Sequence, residues 1–352
     1  MRDSNKNKKH PSNLKWVLVF AVIIGCLSPE IHIQAQDIHF SQFYAAPLLT
    51  NPANTGMSGE NFRVANNFRN QWGKIGVPFR TFYTSIDKKL SISNQSFGIG
   101  GAIVHDQSSA FNLAADEFLV SVSYSKITNN HQFTVGLQPG FAYKSYNLNS
   151  LTFGSQFDGS NELFNPNLPS SENNLAGSLQ YFDMNVGIYW RTLIRNIMPS
   201  AGLSISHFLR PVVTFSASDQ TVRLPVKISF HGQVNIPLTS RIDIAPTLLY
   251  SAVPGTNELL LGAMEGYALN DFFIPVKKVY AITMVRINPF KNIDALILGG
   301  GVKFPKFDLG ISYDINVSPL AQASYFNGAF EVSLIFTGDR TKRNANEPCF
   351  IY

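Results

Sequence analysis

Residues 132–144 read QFTVGLQPGFAYK, a run in which large apolar side chains alternate with polar or small ones. Phe133, Val135 and Leu137 occupy one set of alternate positions, and Gln132 and Thr134 begin the other. Successive side chains of a β-strand point to opposite faces of the sheet. The run therefore predicts a strand with one apolar face and one polar face.

The same two-residue period recurs through most of the chain, for example in residues 181–191, 224–236 and 307–316. These runs cover roughly 9 to 14 residues, whereas strands of soluble proteins average about 5 or 6. A membrane barrel uses about 9 to 11 residues per tilted strand, with apolar side chains outside and polar ones inside. Only 14% of the residues are charged. The sequence therefore predicts an all-β protein, a transmembrane antiparallel β-barrel, in preference to a soluble β-sandwich.

The alternating runs number about fourteen, an even number, as in single-chain bacterial barrels. The predicted strands begin near Phe62, Pro78, Ser96, Ala115, Gln132, Leu179, Met198, Leu224, Arg241, Glu258, Lys277, Ile293, Lys306 and Gly328. Alternation is weaker in the third, tenth, eleventh and twelfth. The longest connection, residues 148–178, follows the fifth strand and so faces outward if both termini are periplasmic. We predict a barrel over residues 61–338, periplasmic N- and C-termini, and a periplasmic tail over residues 339–352.

A secretory signal peptide is predicted for residues 1–35, where basic residues precede a short apolar segment. The sequence Ile23-Ile24-Gly25-Cys26 also resembles a lipobox, and lipidation of Cys26 remains an alternative. Removing residues 1–35 takes away five basic and two acidic side chains and leaves the chain close to neutral. No basic run is left to suggest nucleic-acid binding. With Cys349 as its only cysteine, the remainder cannot form an intrachain disulfide.

The first segment of the mature chain, residues 36–60, has neither a helix nor a strand period. Its QD, HFSQFY and NPA sequences, at residues 36–37, 39–44 and 51–53, resemble the start of the PorP/SprF family. Members of this family are outer-membrane proteins of the type IX secretion system of Bacteroidetes. Residues 63–72 and 79–87 resemble the first two strands of the family.

This resemblance implies an outer-membrane protein that assists the secretion or surface anchoring of a large adhesin. The implied partner is the C-terminal domain of that cargo. Other type IX secretion components, membrane lipids and lipopolysaccharide are further expected partners. The resemblance implies neither an enzymatic activity nor a cofactor. The alternative is a passive diffusion porin, which requires an open lumen.

We interpret residues 36–60 as an internal plug or periplasmic lid, with a structural strap beneath the barrel as the alternative. A barrel of about 14 strands is wider than the eight-stranded barrels that side chains can fill. Pro47 and Pro52 keep the segment from joining the sheet as a strand. The side chains expected where this segment meets the lumen wall are Phe40, Gln42, Tyr44, Asn51, Pro52, Arg63, Arg69 and Gln71.

The long outward loop carries aromatic and proline side chains that suit a protein interface. The candidate partner-binding residues are Phe153, Phe157, Phe164 and Pro166. No HExxH or GxSxG motif is present, so no catalytic or metal site is predicted. Of the histidines, His231 is expected to face the lumen and His207 the lipid.

Overall fold

The computed structural model describes residues 37–73, 77–92, 95–108, 113–146, 154–159, 163–165, 167–168, 177–215, 221–269, 275–319 and 321–338. The predicted signal peptide (residues 1–35, with Cys26) and the predicted tail (residues 339–352) lie outside the described residues. Within the described part of the chain, no helix is long and apolar enough to cross a membrane.

Fourteen antiparallel strands close into a single barrel. The strands are β1 (Phe62–Gln71), β2 (Phe79–Ile92), β3 (Gln95–Ser108), β4 (Leu113–Thr128), β5 (His131–Ser145), β6 (Ser178–Thr192), β7 (Met198–Ser206), β8 (Lys227–Pro237), β9 (Ile242–Val253), β10 (Thr256–Ala268), β11 (Lys278–Asn288), β12 (Asn292–Lys303), β13 (Phe307–Asn316) and β14 (Asn327–Thr337). Each strand pairs with its successor in the chain, and β14 pairs with β1 to close the sheet. Every strand begins within a few residues of its predicted start, so the predicted fold is confirmed.

The smaller elements lie before β1 and in the β5–β6 connection. A one-turn helix, α1 (Pro47–Thr50), is flanked by the 3-10 turns Phe43–Ala45 and Pro52–Asn54. In the connection, the 3-10 turn Gly154–Gln156 precedes a two-stranded sheet formed by Phe157–Asp158 and Leu163–Phe164.

The two faces of the strands differ in exposure as expected of a membrane barrel, with apolar side chains exposed and polar side chains buried. On β5, the apolar Phe133 and Val135 are 54% and 53% exposed, whereas Gln132 and Thr134 are 2% and 1% exposed. This is the reverse of a soluble protein, in which polar side chains face the solvent. The apolar side chains therefore form the lipid-facing surface, and the polar side chains face the lumen.

The two ends of the barrel differ in the length of their connections. The connections β5–β6, β7–β8 and β13–β14 share one end, which we call the long-loop end. The opposite end has turns such as Asn129–Asn130 between β4 and β5 and residues 304–306 between β12 and β13, and we call it the short-turn end. The described chain finishes at the short-turn end, where the Gly338 amide donates to the Phe62 carbonyl at 2.9 Å.

The strands in which alternation is weak are those whose inner face is apolar as well. On β10–β12, the inward side chains Leu260, Ile282 and Ile297 form a cluster with Phe43 of the segment before β1. On β3, Ala102 and Val104 pack inside the barrel with Leu48 of the same segment. These strands carry apolar side chains on both faces because they are covered from within.

Candidate functional site

Residues 37–57, which we call the plug, lie inside the barrel. Lumen-facing groups from strands around the whole barrel hydrogen-bond to them, for example Tyr83 of β2, Gln138 of β5 and Ser204 of β7. Gln42 and Asn51 are 0% exposed. Because wall groups contact the plug on all sides, the plug lies within the lumen and is not a strap beneath the barrel.

The plug runs from the long-loop end to the short-turn end. At its start, Asp37 forms ion pairs with Lys227, the first residue of β8, and with His207, which follows β7. At its finish, the Gly56 amide donates to Asp87 at 2.7 Å, and the Arg63 guanidinium binds the same carboxylate at 2.8 Å. The first described residue, Asp37, therefore lies at the end of the barrel opposite the start of β1.

Local sequence keeps the plug out of the sheet. Pro47 and Pro52 each occupy the first position of a short helical turn, where a missing N–H leaves no hydrogen bond unmade. Between these turns, the Asn51 side chain accepts a hydrogen bond from the Ala53 amide at 2.8 Å. This contact caps the second turn and fixes the chain in a non-strand conformation.

A buried charge network holds the first half of the plug. Arg69 of β1 lies 3.0 Å from Asp314 of β13 and 2.5 Å from Glu331 of β14. The second cation is Arg286 of β11, 2.9 Å from the Asp314 carboxylate. All four side chains are at most 4% exposed. Two cations and two carboxylates balance one another, which is the condition for stable charge in a buried site.

The plug supplies further hydrogen bonds to this network. The amides of Ser41 and Gln42 donate to the two oxygens of Glu331 at 2.7 and 2.8 Å. The Ser41 hydroxyl donates to Asp314 at 2.8 Å and accepts from Arg286. Since Arg69 and Glu331 face each other across the β1–β14 pair, the plug is tied to the junction that closes the barrel.

The second half of the plug is held through Asn51. Its amide nitrogen donates to the Ile188 carbonyl of β6 at 3.0 Å and contacts the His231 ring of β8 at 3.2 Å. Gly187 and Gly202 lie directly against the Asn51 side chain, so that neither position has room for a side chain. The two wall glycines thus form a recess for one plug residue.

The ionisable groups at the start of the plug are shifted by their neighbours. Burial favours a neutral Asp37, but the Lys227 ammonium and the His207 ring hold the pKa of that carboxyl well below its usual range. Burial likewise favours a neutral His207 ring, yet hydrogen bonds to Asp183 and Asp37 raise its pKa to about 9. For His39, burial lowers the pKa to about 4. At neutral pH the plug therefore begins with a charged Asp37–His207 pair beside a neutral His39.

The position of His207 differs from the sequence expectation. Its Nδ1 lies 2.6 Å from Asp183 inside the barrel mouth, so the ring does not face lipid. The alternating pattern of β7 does not apply to it because the strand ends at Ser206. His231 faces the lumen, as expected, and stacks on Tyr189.

The structure brings the predicted plug and lumen residues together. Phe40, Gln42, Asn51, Pro52 and Arg69 are buried, and Tyr44, Arg63 and Gln71 are half-buried. Phe40 packs edge-on against Tyr83, and the Tyr44 hydroxyl donates to Gln42. Sequence reasoning missed Ser41, Asp87, Arg286, Asp314 and Glu331. The four charged residues of this set could have been found from the sequence, because each is an ionisable residue at an inward-facing position of a predicted strand.

Two of the predicted loop residues are described, and they pack together. Phe157 and Phe164 lie on the two-stranded sheet of the β5–β6 connection, with ring centroids 5.4 Å apart. They are 47% and 52% exposed. Phe153 and Pro166 lie outside the described residues. The described pair forms an exposed aromatic patch at the long-loop end.

Among the described residues, no group of three or more His, Cys, Asp or Glu side chains is placed to hold a metal ion. Polar side chains of the plug and its wall instead bond to one another. The arrangement is suited to holding a peptide segment within the lumen.

Among solved structures, the similar chains include distant barrels. The CymD monoaromatic hydrocarbon channel shares 9% identity over 84% of this chain and 93% of its own, with a TM-score of 0.48. CdiB from Acinetobacter baumannii shares 8% identity over 79% of this chain and 60% of its own, with a TM-score of 0.45. A Pseudomonas aeruginosa FadL homologue shares 10% identity over 82% of this chain and 92% of its own, with a TM-score of 0.43. The comparison with curated proteins finds no match.

The family comparison covers nearly the whole described chain. The model of the type IX secretion system membrane protein PorP/SprF matches residues 33–336, which include the plug and all but the last residue of β14. The residues that carried the sequence resemblance lie in the plug, β1 and β2. The chain is an outer-membrane β-barrel, and it belongs to the PorP/SprF family of type IX secretion system membrane proteins.

Proposed function

We propose that this protein assists the secretion or surface anchoring of a large adhesin-type cargo by binding the cargo's C-terminal domain. The family supports a role in type IX secretion. The barrel acts by binding proteins and performs no covalent chemistry. Other type IX secretion components, membrane lipids and lipopolysaccharide are further proposed partners.

The observation that carries this proposal is the plug. A passive diffusion porin, the alternative function, needs a lumen open to water. Here the lumen contains a segment whose side chains Gln42, Asn51 and Ala53 are 0% exposed. Burying a polar segment in this way is stable only because wall groups satisfy its hydrogen bonds. A filled lumen favours docking over free diffusion.

The aromatic patch at the long-loop end is the proposed contact surface on the loops. Phe157 and Phe164 expose about half of their surface to solvent. Exposed aromatic rings are enriched at the energetically important positions of protein interfaces. We place this end outside the cell because long loops of bacterial barrels are extracellular.

The test is affinity purification of the tagged barrel from native outer membranes, followed by mass spectrometry of the co-purifying proteins. We expect one large secreted protein, retained through its C-terminal domain. The double variant Phe157→Ala/Phe164→Ala should recover about tenfold less of it, since truncating two interface aromatics costs at least about 1.4 kcal/mol.

The matched control is Phe290→Ala, which removes a 70% exposed ring from the β11–β12 turn at the same end. This variant should recover as much cargo as the wild type. Recovery of the barrel alone, together with a steady open-channel conductance, would contradict docking and favour the porin.

A further inference from the structure

A cavity lies between the plug and the lumen wall at the long-loop end. It encloses about 70 Å³ and is open to solvent on one side. One side is formed by the plug through Ile38, Phe40 and Leu49, and the other by the inner face of β8–β10 through Leu249 and Val253. Pockets for whole drug-sized ligands occupy about 300 to 1,000 Å³, so this smaller cavity has room for a single small group and not for such a ligand.

Several charged and hydroxyl groups that line the cavity already have partners. Lys227 is paired with Asp37, and the Glu258 carboxylate lies 3.7 Å from Arg286. The Ser229 and Ser251 hydroxyls bond to each other at 3.0 Å. A polar or charged occupant would have to compete with these pairs. An apolar occupant would leave them intact.

The apolar lining is incompletely covered. Ile38, Leu49 and Val253 are half-buried, so part of their apolar surface remains in contact with water when the cavity is empty. Burying apolar surface gains about 25 cal/mol per Å². Binding an apolar group in this cavity is therefore favourable, because it removes this apolar lining from water.

The position of the cavity indicates how such a group reaches it. Val253 is the last residue of β9 and Thr256 the first of β10, and the turn between them lies at the long-loop end. The mouth therefore opens on the same end as the aromatic patch of Phe157 and Phe164. A group carried by a partner docked on that end can enter directly.

We propose that this cavity binds an apolar side chain, of about the size of one aromatic ring, that is carried by the docked cargo domain. The inference rests on the proposed function and adds to it a second contact site, inside the barrel mouth. The plug is then part of the receptor surface, because Ile38, Phe40 and Leu49 form one wall of the site.

The experiment measures the affinity of purified barrel for the C-terminal domain of the co-purified cargo by biolayer interferometry. Val253→Trp fills the mouth of the cavity, and we expect the dissociation constant to rise at least tenfold. Val253→Asn replaces the apolar surface by a polar amide of similar size, and we expect a rise of severalfold. The control Ala252→Trp places the same ring on the neighbouring lipid-facing position and should stay within twofold of the wild type.

Each variant is checked for folding by its heat-modifiable mobility on gels. If Val253→Trp and Val253→Asn both fold and bind the domain as tightly as the wild type, the proposal is overturned. Binding of free indole to the wild type, with cargo affinity unchanged in Val253→Trp, would also overturn it and assign the cavity to a free apolar molecule. If the wild type itself does not bind the domain, the proposed function fails together with this inference.

Discussion

Replacing Glu331 by alanine is expected to destabilise the folded barrel by about 3 to 5 kcal/mol and to open the lumen to ions. The Glu331 carboxylate accepts hydrogen bonds from the amides of Ser41 and Gln42 and pairs with Arg69. Its removal leaves two buried cations, Arg69 and Arg286, sharing the single Asp314 carboxylate, and leaves two buried N–H groups without their acceptor. Breaking a buried pair costs far more than the pair contributes as a whole, because the remaining charge has no water to solvate it.

Two measurements check this result on the refolded protein. The midpoint of thermal unfolding should fall by several degrees, and planar bilayers should show ion conductance that the wild type lacks. The control is Asp116→Ala, which breaks the pair of Asp116 with His105, whose side chains are 36% and 47% exposed. Exposed pairs contribute about 0 to 1 kcal/mol, so this variant should keep both the stability and the closed lumen. Equal effects of the two substitutions would contradict the role given to the buried network.

Substituting Gly136 by valine should displace the plug from the wall. A side chain at this position of β5 would overlap the backbone of Pro52 and Ala53, since its first carbon would lie 2.6 Å from the Pro52 carbonyl oxygen. Backbone atoms cannot rotate away as the end of a side chain can. Overpacking of this kind costs about 1 to 3 kcal/mol or more. We expect the plug of the Gly136→Val barrel to become accessible to protease while the wall stays intact.

The matched control for this variant is Gly232→Val on β8. A side chain there would face lipid, with its nearest neighbours at 3.5 and 3.9 Å, which is ordinary contact. Limited proteolysis of both variants in detergent, read by mass spectrometry, separates the outcomes. Cleavage within residues 37–57 should occur only in Gly136→Val. Protection of the plug in both variants would show that it is not seated against this part of the wall.

The number and position of the strands could be predicted because period-two alternation is a local property of the sequence. The same local signal failed where the lumen wall packs against apolar plug residues. Leu260, Ile282 and Ile297 face inward to meet Phe43, so these strands are apolar on both faces. Alternation is therefore weak in the tenth to twelfth runs because their inward side chains pack against the plug.

The direction of the plug could not be derived from the sequence. Counting strands places the start of β1 at the short-turn end, but it leaves the course of a segment inside the lumen undetermined. Asp37 lies at the long-loop end because Lys227 and His207 bind it there. The Arg69–Glu331 contact joins residues 262 positions apart and depends on the register of the closing pair. The spacing of residues along the chain therefore cannot predict such a contact.

The most direct test of a plugged docking barrel is the conductance of the unmodified protein in planar bilayers. With residues 37–57 seated in the lumen, the wild type should show no steady channel at moderate voltage, and conductance should appear in Glu331→Ala. A steady ohmic conductance of the wild type, unchanged by that substitution, would contradict the plugged lumen and identify the protein as an open pore.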